Sequence, residues 1–426
     1  MNIVLLVADS LRADHLTCYG YPRLTSPFIA GLAEEGCLFT HCFAASTATD
    51  PCFTTIHTGQ YPITHGIIGM YGPERNDRWL ADDAPVLAEA LAGQGYVTAA
   101  VDSLQKWHKR GFERYLVPES GEKKVPIAGC VFTGDVVNRA ALAWAERYRP
   151  GRPYFLFVHY WDTHAPYEPP VAFSRLFESD ELWDMPLPRK VFLDILRACT
   201  YTEGELREQI ANYDREIAHN DRLAQDLVEA LGKRGMLEDT LIIFTADHGE
   251  SLWEKDCMLQ HYNLHDPVVH VPLLMWAPGR LPEGRQVGGL CSQVDIMPTI
   301  LALAGIPCPA GVEGESLLPA IARGKTGRKA VWLEEGTHQR TRAVRTDCWK
   351  FVKSIKPAYT RAPARELYDL RRDPGETHNL WPRRRRLATR LERMLSDWVN
   401  AHGVDYDGEE TAPWQCLYGP FRDKTF

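Results

Sequence analysis

The chain is predicted to be an α/β protein: a large mixed, mostly parallel sheet sandwiched by helices, followed by a small C-terminal α+β subdomain of antiparallel strands. Three observations predict this. Short continuous apolar runs alternate with segments of helical periodicity, as expected for parallel strands buried on both faces. Polar residues able to do chemistry stand directly after those runs, at Asp9, Asp162 and Asp247, where sites form beyond the carboxyl ends of the strands. After about residue 325 the pattern changes to closely spaced strands and one helix, so the boundary is drawn as 1–324 and 325–426.

The elements follow in order. Asn2 to Ala8 is an apolar strand. Ser26 as N-cap and Pro27 at the first helical position open a helix with Phe28, Ile29, Leu32 and Ala33 on one face, and Gly36 ends it. A helix near Ala84 to Ala92 precedes a strand over Tyr96 to Val101, and a helix near Asp135 to Tyr148 leads into Tyr154 to His159, a central strand. A long helix over Glu205 to Arg234, with room for a break, precedes strands at Leu241 to Thr245 and Pro272 to Trp276. Residues 174 to 204 carry few signals and are read as an irregular insertion over the mouth of the site. Four half-exposed strands are expected at Ala330–Glu334, Thr341–Arg345, Trp349–Val352 and Glu366–Leu370. The C-terminal helix that follows carries Arg383 to Arg386 as a solvated face.

Length and composition narrow the class. The 426 residues, 45% of them hydrophobic, can bury a large core. A net charge of −8 gives no footprint for a nucleic-acid partner. No apolar run reaches the roughly 18 to 20 residues that span a bilayer. The N-terminal apolar run is short, lacks a basic flank and runs into Asp9, so it reads as a strand and not a leader, and a cytoplasmic location is expected. The 11 Cys are odd in number and contain no CxxC pair, which suits reduced thiols. The aromatic tail, with Trp414, Tyr418, Phe421 and Phe426, offers a surface that could swap onto a neighbouring copy.

Asp9, Thr49, Asp247 and His248 together make a plausible shell for a divalent cation: two carboxylates, a hydroxyl and an imidazole. Each alone has a plainer reading. An Asp after a strand commonly caps a helix or makes a turn, Asp-His-Gly commonly marks a turn, and Thr49 could cap the helix after Asp50-Pro51.

The motifs around them resemble the sulfatase family of the alkaline-phosphatase superfamily. Val7 to Leu16 with Cys18-Tyr19-Gly20 is similar to its opening, and Phe244 to Glu250 to its second metal motif. Ser46 to Phe53 with Thr58-Gly59-Gln60-Tyr61-Pro62 resembles its active-site loop. Val271-Pro272-Leu273, Asp295 to Thr299 and Glu366 to Leu380 resemble its later signatures, in the family's order.

The resemblance implies a set of roles. Asp9, Asp247, His248 and the Thr49 hydroxyl become ligands of one divalent metal, with manganese or zinc favoured by the imidazole and calcium the alternative. Thr49 stands where the family has a Cys or Ser that is oxidised to formylglycine, an oxidation threonine cannot undergo. Phe53 stands in place of the usual Arg, and Ser10 in place of a frequent second acid. His164, in Asp162-Thr163-His164-Ala165-Pro166-Tyr167, is implied to meet the transferred group. Lys106 and His108, in Lys106-Trp107-His108, are implied to neutralise the anion and hold the nucleophile's surroundings, and His261 to act as general acid or anion contact. A second metal would need Asp162, His164 and His261 together, which the two-residue spacing of Asp162 and His164 disfavours, so one metal is expected.

An unmodified Thr49 is expected to act as nucleophile on a small anionic ester. The main expectation is a phosphoester, a phosphodiester or phosphonate monoester, cleaved through a phospho-threonine intermediate. The alternatives are a sulfuric ester hydrolase, a phospho-group transferase and an inert binding homologue.

Overall fold

The computed structural model describes residues 1–69, 80–118, 123–125, 131–177, 202–256, 259–337, 339–356 and 362–408. Of the insertion expected over the mouth at 174–204, residues 178–201 lie outside them, as do residues 409–426 of the tail.

An eight-stranded sheet organises the molecule. Its strands run in the order Arg285–Val287, Cys37–Phe39, Leu273–Trp276, Thr240–Ala246, Asn2–Ala8, Tyr154–Tyr160, Val97–Val101 and Arg114–Leu116. The five strands from Thr240–Ala246 to Arg114–Leu116 are parallel. Leu273–Trp276 is antiparallel to both of its neighbours, which makes the sheet mixed. Asn2–Ala8 sits at the centre, with Leu5 opposite Phe157 on one side and Ile243 on the other. Its side chains from Ile3 to Ala8 are wholly buried, and this is why the run shows no polar alternation.

The helices cover both faces of the sheet. Pro27–Glu34 begins at the expected proline, but the Ser26 side chain does not cap it; Ser26 Oγ accepts from the Thr17 amide at 2.9 Å. Asp221 on the long helix takes over the capping, its two oxygens accepting from the Phe28 and Ile29 amides at 3.0 and 2.8 Å. The long helix is unbroken over Glu203–Lys233 and starts with a Thr202–Glu205 capping box. It packs on Pro27–Glu34 and on the Gly134–Arg147 helix.

The C-terminal strands Val331–Glu335, Arg340–Arg345, Trp349–Lys356 and Arg365–Asp369 form a consecutive antiparallel sheet. They were expected to be half-exposed, and they are almost wholly buried. One reason is the Arg385–Ala401 helix, whose Ala388, Leu391, Leu395 and Val399 pack on Val344, Phe351 and Leu367. The other is that Val331, Leu333, Ala343 and Val352 pack on Phe43, Leu264 and Val268. Charges buried at this seam are paired. Lys350 Nζ lies 2.9 Å from Glu376 and donates to the Leu264 carbonyl, and Arg342 Nε lies 2.8 Å from Glu334. Among the described residues no helix is long and apolar enough to cross a membrane, and the cysteines there are all free thiols.

Candidate active site

The site lies beyond the carboxyl ends of the central parallel strands. Asp9 follows Ala8, and Asp247 follows Ala246 on the adjacent strand, so parallel pairing in register sets the two carboxylates side by side. The turn between strand and site is strained. Ser10, a non-glycine residue, holds φ at +56°, which turns its amide onto Asp247 Oδ1 at 3.0 Å. The Tyr213 hydroxyl, donating to the Ser10 carbonyl at 2.8 Å, holds that conformation from the long helix. Gln293 Nε2 donates to the Ala246 and Asp247 carbonyls, and Thr163 Oγ1 to the Asp9 carbonyl, so both strand ends are tied down.

Asp9, Asp247 and His248 are wholly buried, with one potential ligand atom from each within 4.8 Å of the others. Asp9 Oδ1 accepts from Ser10 Oγ at 2.8 Å, and Oδ2 accepts from Thr49 Oγ1 at 3.3 Å. Ser10 therefore contributes no charge and orients the carboxylate. Asp247 Oδ1 accepts from the His248 amide at 2.7 Å, while Oδ2 has no hydrogen-bond partner. His248 Nδ1 faces the Gly249 carbonyl at 2.9 Å and must donate to it, which leaves the lone pair on Nε2. Nε2 has no hydrogen-bond partner and lies 3.3 Å from Asp247 Oδ2.

An orphaned imidazole lone pair beside an orphaned carboxylate oxygen suits a divalent cation, so these residues fit the metal that the family resemblance implies. The protonation pattern has the same cause. Burial and the neighbouring Asp9 charge push Asp247 up to about 6, and burial pushes His248 down. Asp9 is held below the usual carboxylate range although burial opposes this, because His159 stands 3.4 Å from it and His164 and His248 lie nearby.

Thr49 is the first residue of the helix Thr49–Thr58 and not its cap; Ala48 occupies that position. Its hydroxyl, turned to Asp9, is thus free of the capping role. Lys106 and His108 come to the same neighbourhood through Asp50: Lys106 Nζ lies 2.9 Å from Asp50 Oδ2, and His108 Nε2 lies 3.4 Å from Oδ1. His164 and His261 face one another, with ring centroids 5.7 Å apart, and His261 lies 4.4 Å from the His248 ring. His164 Nδ1 is taken by the Ala165 carbonyl at 2.6 Å, which leaves Nε2 to meet other groups. Behind His261 stands buried Glu250, 3.4 Å from Nδ1, which burial pushes up to about 7.

The grouping that the spacing disfavoured, Asp162 with His164 and His261, is not formed among the described residues; Asp162 groups with Glu216 and His219. A residue absent from the expected set, His159, belongs to the site. Wholly buried, it lies 2.8 Å from Asp102 Oδ1 through Nδ1 and 3.4 Å from Asp9 Oδ2 through Nε2. Burial disfavours its charge, yet the hydrogen bond to Asp102 and the nearby Asp9 carboxylate raise it to about 9. Phe53, in the position of the usual Arg, packs on its ring at 4.5 Å. The sequence signal was a lone polar residue inside the apolar run Tyr154–Tyr160, with Asp102 directly after the neighbouring strand Val97–Val101.

A family model described as Sulfatase matches residues 1–306, and one described as N-sulphoglucosamine sulphohydrolase, C-terminal, matches residues 255–400. Among curated proteins, the chain is 27% identical to Arylsulfatase K of Rattus norvegicus over 97% of this chain and 81% of that protein. It is 26% identical to Arylsulfatase A of Homo sapiens over 89% of this chain and 83% of that protein. A solved structure described as being in complex with its substrate D-glucosamine-2-N,6-O-disulfate superposes with a TM-score of 0.77 at 18% identity, covering 96% of this chain and 99% of that one. The phosphonate monoester hydrolase of Agrobacterium radiobacter superposes at 0.75 with 22% identity, covering 95% and 96%, a likeness of fold.

The curated relatives overturn the expectation of a phosphoester substrate, since they are sulfatases over nearly the whole chain. The physical reason is that sulfuryl and phosphoryl groups are both tetrahedral anions, so the identity of the attacking hydroxyl does not select between them.

Proposed function

The chain belongs to the sulfatase family, a family of ester hydrolases, and from that premise we propose that it hydrolyses sulfate esters of small sulfated sugars with unmodified Thr49 as nucleophile. The observation that carries the reading is the Thr49 hydroxyl, 3.3 Å from Asp9 Oδ2 beside the Asp9–Asp247–His248 cluster, in a chain whose curated relatives are sulfatases. The sugar class rests on the structural neighbour with a disulfated glucosamine.

Asp9, Asp247 and His248 Nε2 would hold one divalent cation, with Thr49 Oγ1 beside it. When bound, the cation supplies positive charge that favours the ionised hydroxyl and offsets charge developing on sulfuryl oxygens. The remaining steps belong to the chain. Asp9 aims the Thr49 hydroxyl, and the open amides at the start of the Thr49–Thr58 helix favour an anion there. Lys106 adds a positive charge while fixing Asp50, and His108 holds the second Asp50 oxygen. Thr49 Oγ, its proton released to water, attacks sulfur, the bond from sulfur to the leaving oxygen breaks, and His261, oriented by Glu250, donates a proton to that oxygen. His164 contacts the sulfuryl group. Water then attacks the sulfur of the threonine sulfate ester, and breaking its bond to Oγ releases sulfate and restores the hydroxyl.

Turnover of an aryl sulfate by wild type and Thr49→Ala tests this, with aryl phosphate and bis-aryl phosphodiester run alongside. Sulfate hydrolysis should dominate and should largely vanish in the variant, and quenched wild type should yield a sulfated Thr49 peptide. Wild-type turnover in Thr49→Ala, or faster phosphodiester than sulfate cleavage, refutes the reading. The His248 imidazole favours manganese or zinc, and calcium alone in protein purified without added metal would count against that assignment.

A further inference from the structure

Asp162, Glu216 and His219 form a second group of buried donors, one ligand atom from each lying within 4.8 Å of the others. We propose that they bind a second divalent cation of the zinc or manganese class, in a site separate from Asp9, Asp247 and His248.

Three features of the chain build the site. Glu216 and His219 are three residues apart on the unbroken Glu203–Lys233 helix, so they project from one face as a Glu-x-x-His pair, a spacing that serves metal centres in helical proteins. Asp162 comes from the turn after the central strand Tyr154–Tyr160. Gly134, at the start of the Gly134–Arg147 helix, lets that carboxylate lie close, because a Cβ there would stand 2.4 Å from Asp162 Oδ2.

The outer contacts are those of oriented ligands. One oxygen of each carboxylate accepts a main-chain amide: Asp162 Oδ1 from Gly134 at 3.0 Å, and Glu216 Oε1 from Glu168 at 2.8 Å. His219 Nε2 lies 3.3 Å from Asp135 Oδ2, the carboxylate–histidine support that orients metal-binding imidazoles. Its other nitrogen, Nδ1, is buried, has no hydrogen-bond partner and points to Asp162 Oδ1 across 3.7 Å. That gap is too long for a hydrogen bond. It matches two atoms sharing one ion, since donors at about 2.0–2.2 Å from a common cation stand roughly 3 to 4 Å apart. Three carboxylates, Asp162, Glu216 and Asp135, surround this single imidazole, so the cluster stays negative even with His219 protonated. Two protein carboxylates with one imidazole suit a borderline divalent ion.

The location gives the ion a purpose. Asp162 is two residues before His164, and Thr163 between them donates to the Asp9 carbonyl. A cation here ties the turn that carries His164 to the long helix, independently of the ion at the reacting centre.

The test counts metal in full-length protein stripped with chelator and then loaded with manganese or zinc. Wild type should bind two ions per chain. Asp247→Asn, which disables the first centre, should keep one, and Asp247→Asn with His219→Asn should keep none. In parallel, manganese should raise the melting temperature of Asp247→Asn but not of the double variant. Glu216→Gln, a nearly isosteric change, should reproduce the loss and guards against a folding defect. Asp247→Asn binding no ion, or His219→Asn keeping two, overturns the proposal. The count does not depend on turnover, so it stands apart from the assay of sulfate hydrolysis.

Discussion

Replacing His159 with glutamine should remove a pH-dependent part of this protein's stability. In the folded protein His159 titrates at about 9 against an ordinary 6.5. Each pH unit of difference corresponds to 1.36 kcal/mol, so the stabilisation is about 3 kcal/mol at full protonation. The same contacts hold Asp102 down at about 2 and are counted once. A group whose folded pKa is raised contributes fully below its unfolded value and loses the contribution as pH rises through the folded one. The stabilisation is therefore complete below pH 6.5 and disappears through pH 9. The measurement is chemical denaturation of metal-stripped wild type and His159→Gln at pH 6, 7.5 and 9.5. Wild type should exceed the variant by about 3 kcal/mol more at pH 6 than at pH 9.5. A difference between the two proteins that stays flat across this range would show that His159 is not the imidazolium beside Asp9.

Other consequences are local. Gly134→Ala sets a methyl 2.2 Å from Leu223 Cδ1 and 2.4 Å from Asp162 Oδ2, and overpacking of that kind should cost about 1–3 kcal/mol in denaturation midpoint analysis. Phe351→Ala empties a wholly buried position between the C-terminal sheet and its helix and should cost about 3–5 kcal/mol by the same measurement. His261→Ala should slow alkyl or phenyl sulfates by roughly 10²-fold or more while sparing 4-nitrophenyl sulfate, whose leaving oxygen needs little protonation. Equal losses on both substrates would make His261 an anion contact instead of the general acid.

Much of the site can be read along the chain because its parts are tied to strand ends. Asp9 and Asp247–His248 each directly follow an apolar run, and adjacent parallel strands bring such positions together whatever lies between them. The Thr49 loop was legible only through its resemblance to the family's active-site loop, since the local pattern alone reads Thr49 as a cap of the helix that it in fact begins. His159 was hidden because a buried strand run masks a polar member, and its partner Asp102 lies 57 residues away. The burial of the C-terminal strands was hidden too. Both faces of this sheet carry apolar residues, and Lys350 on one face and Arg342 on the other read as solvent-facing until Glu376 and Glu334 are seen beside them.

The chain alone determined the α/β architecture, the family and the residues at the strand ends, because periodicity and short motifs are local properties. Tertiary structure decided which distant groups share a charge. It paired His159 with Asp9, and it turned Asp162 away from His164 toward Glu216 and His219 on the long helix. Buried electrostatics depend on distances of a few ångströms between segments remote in sequence, and only the packing of strands against helices sets those distances.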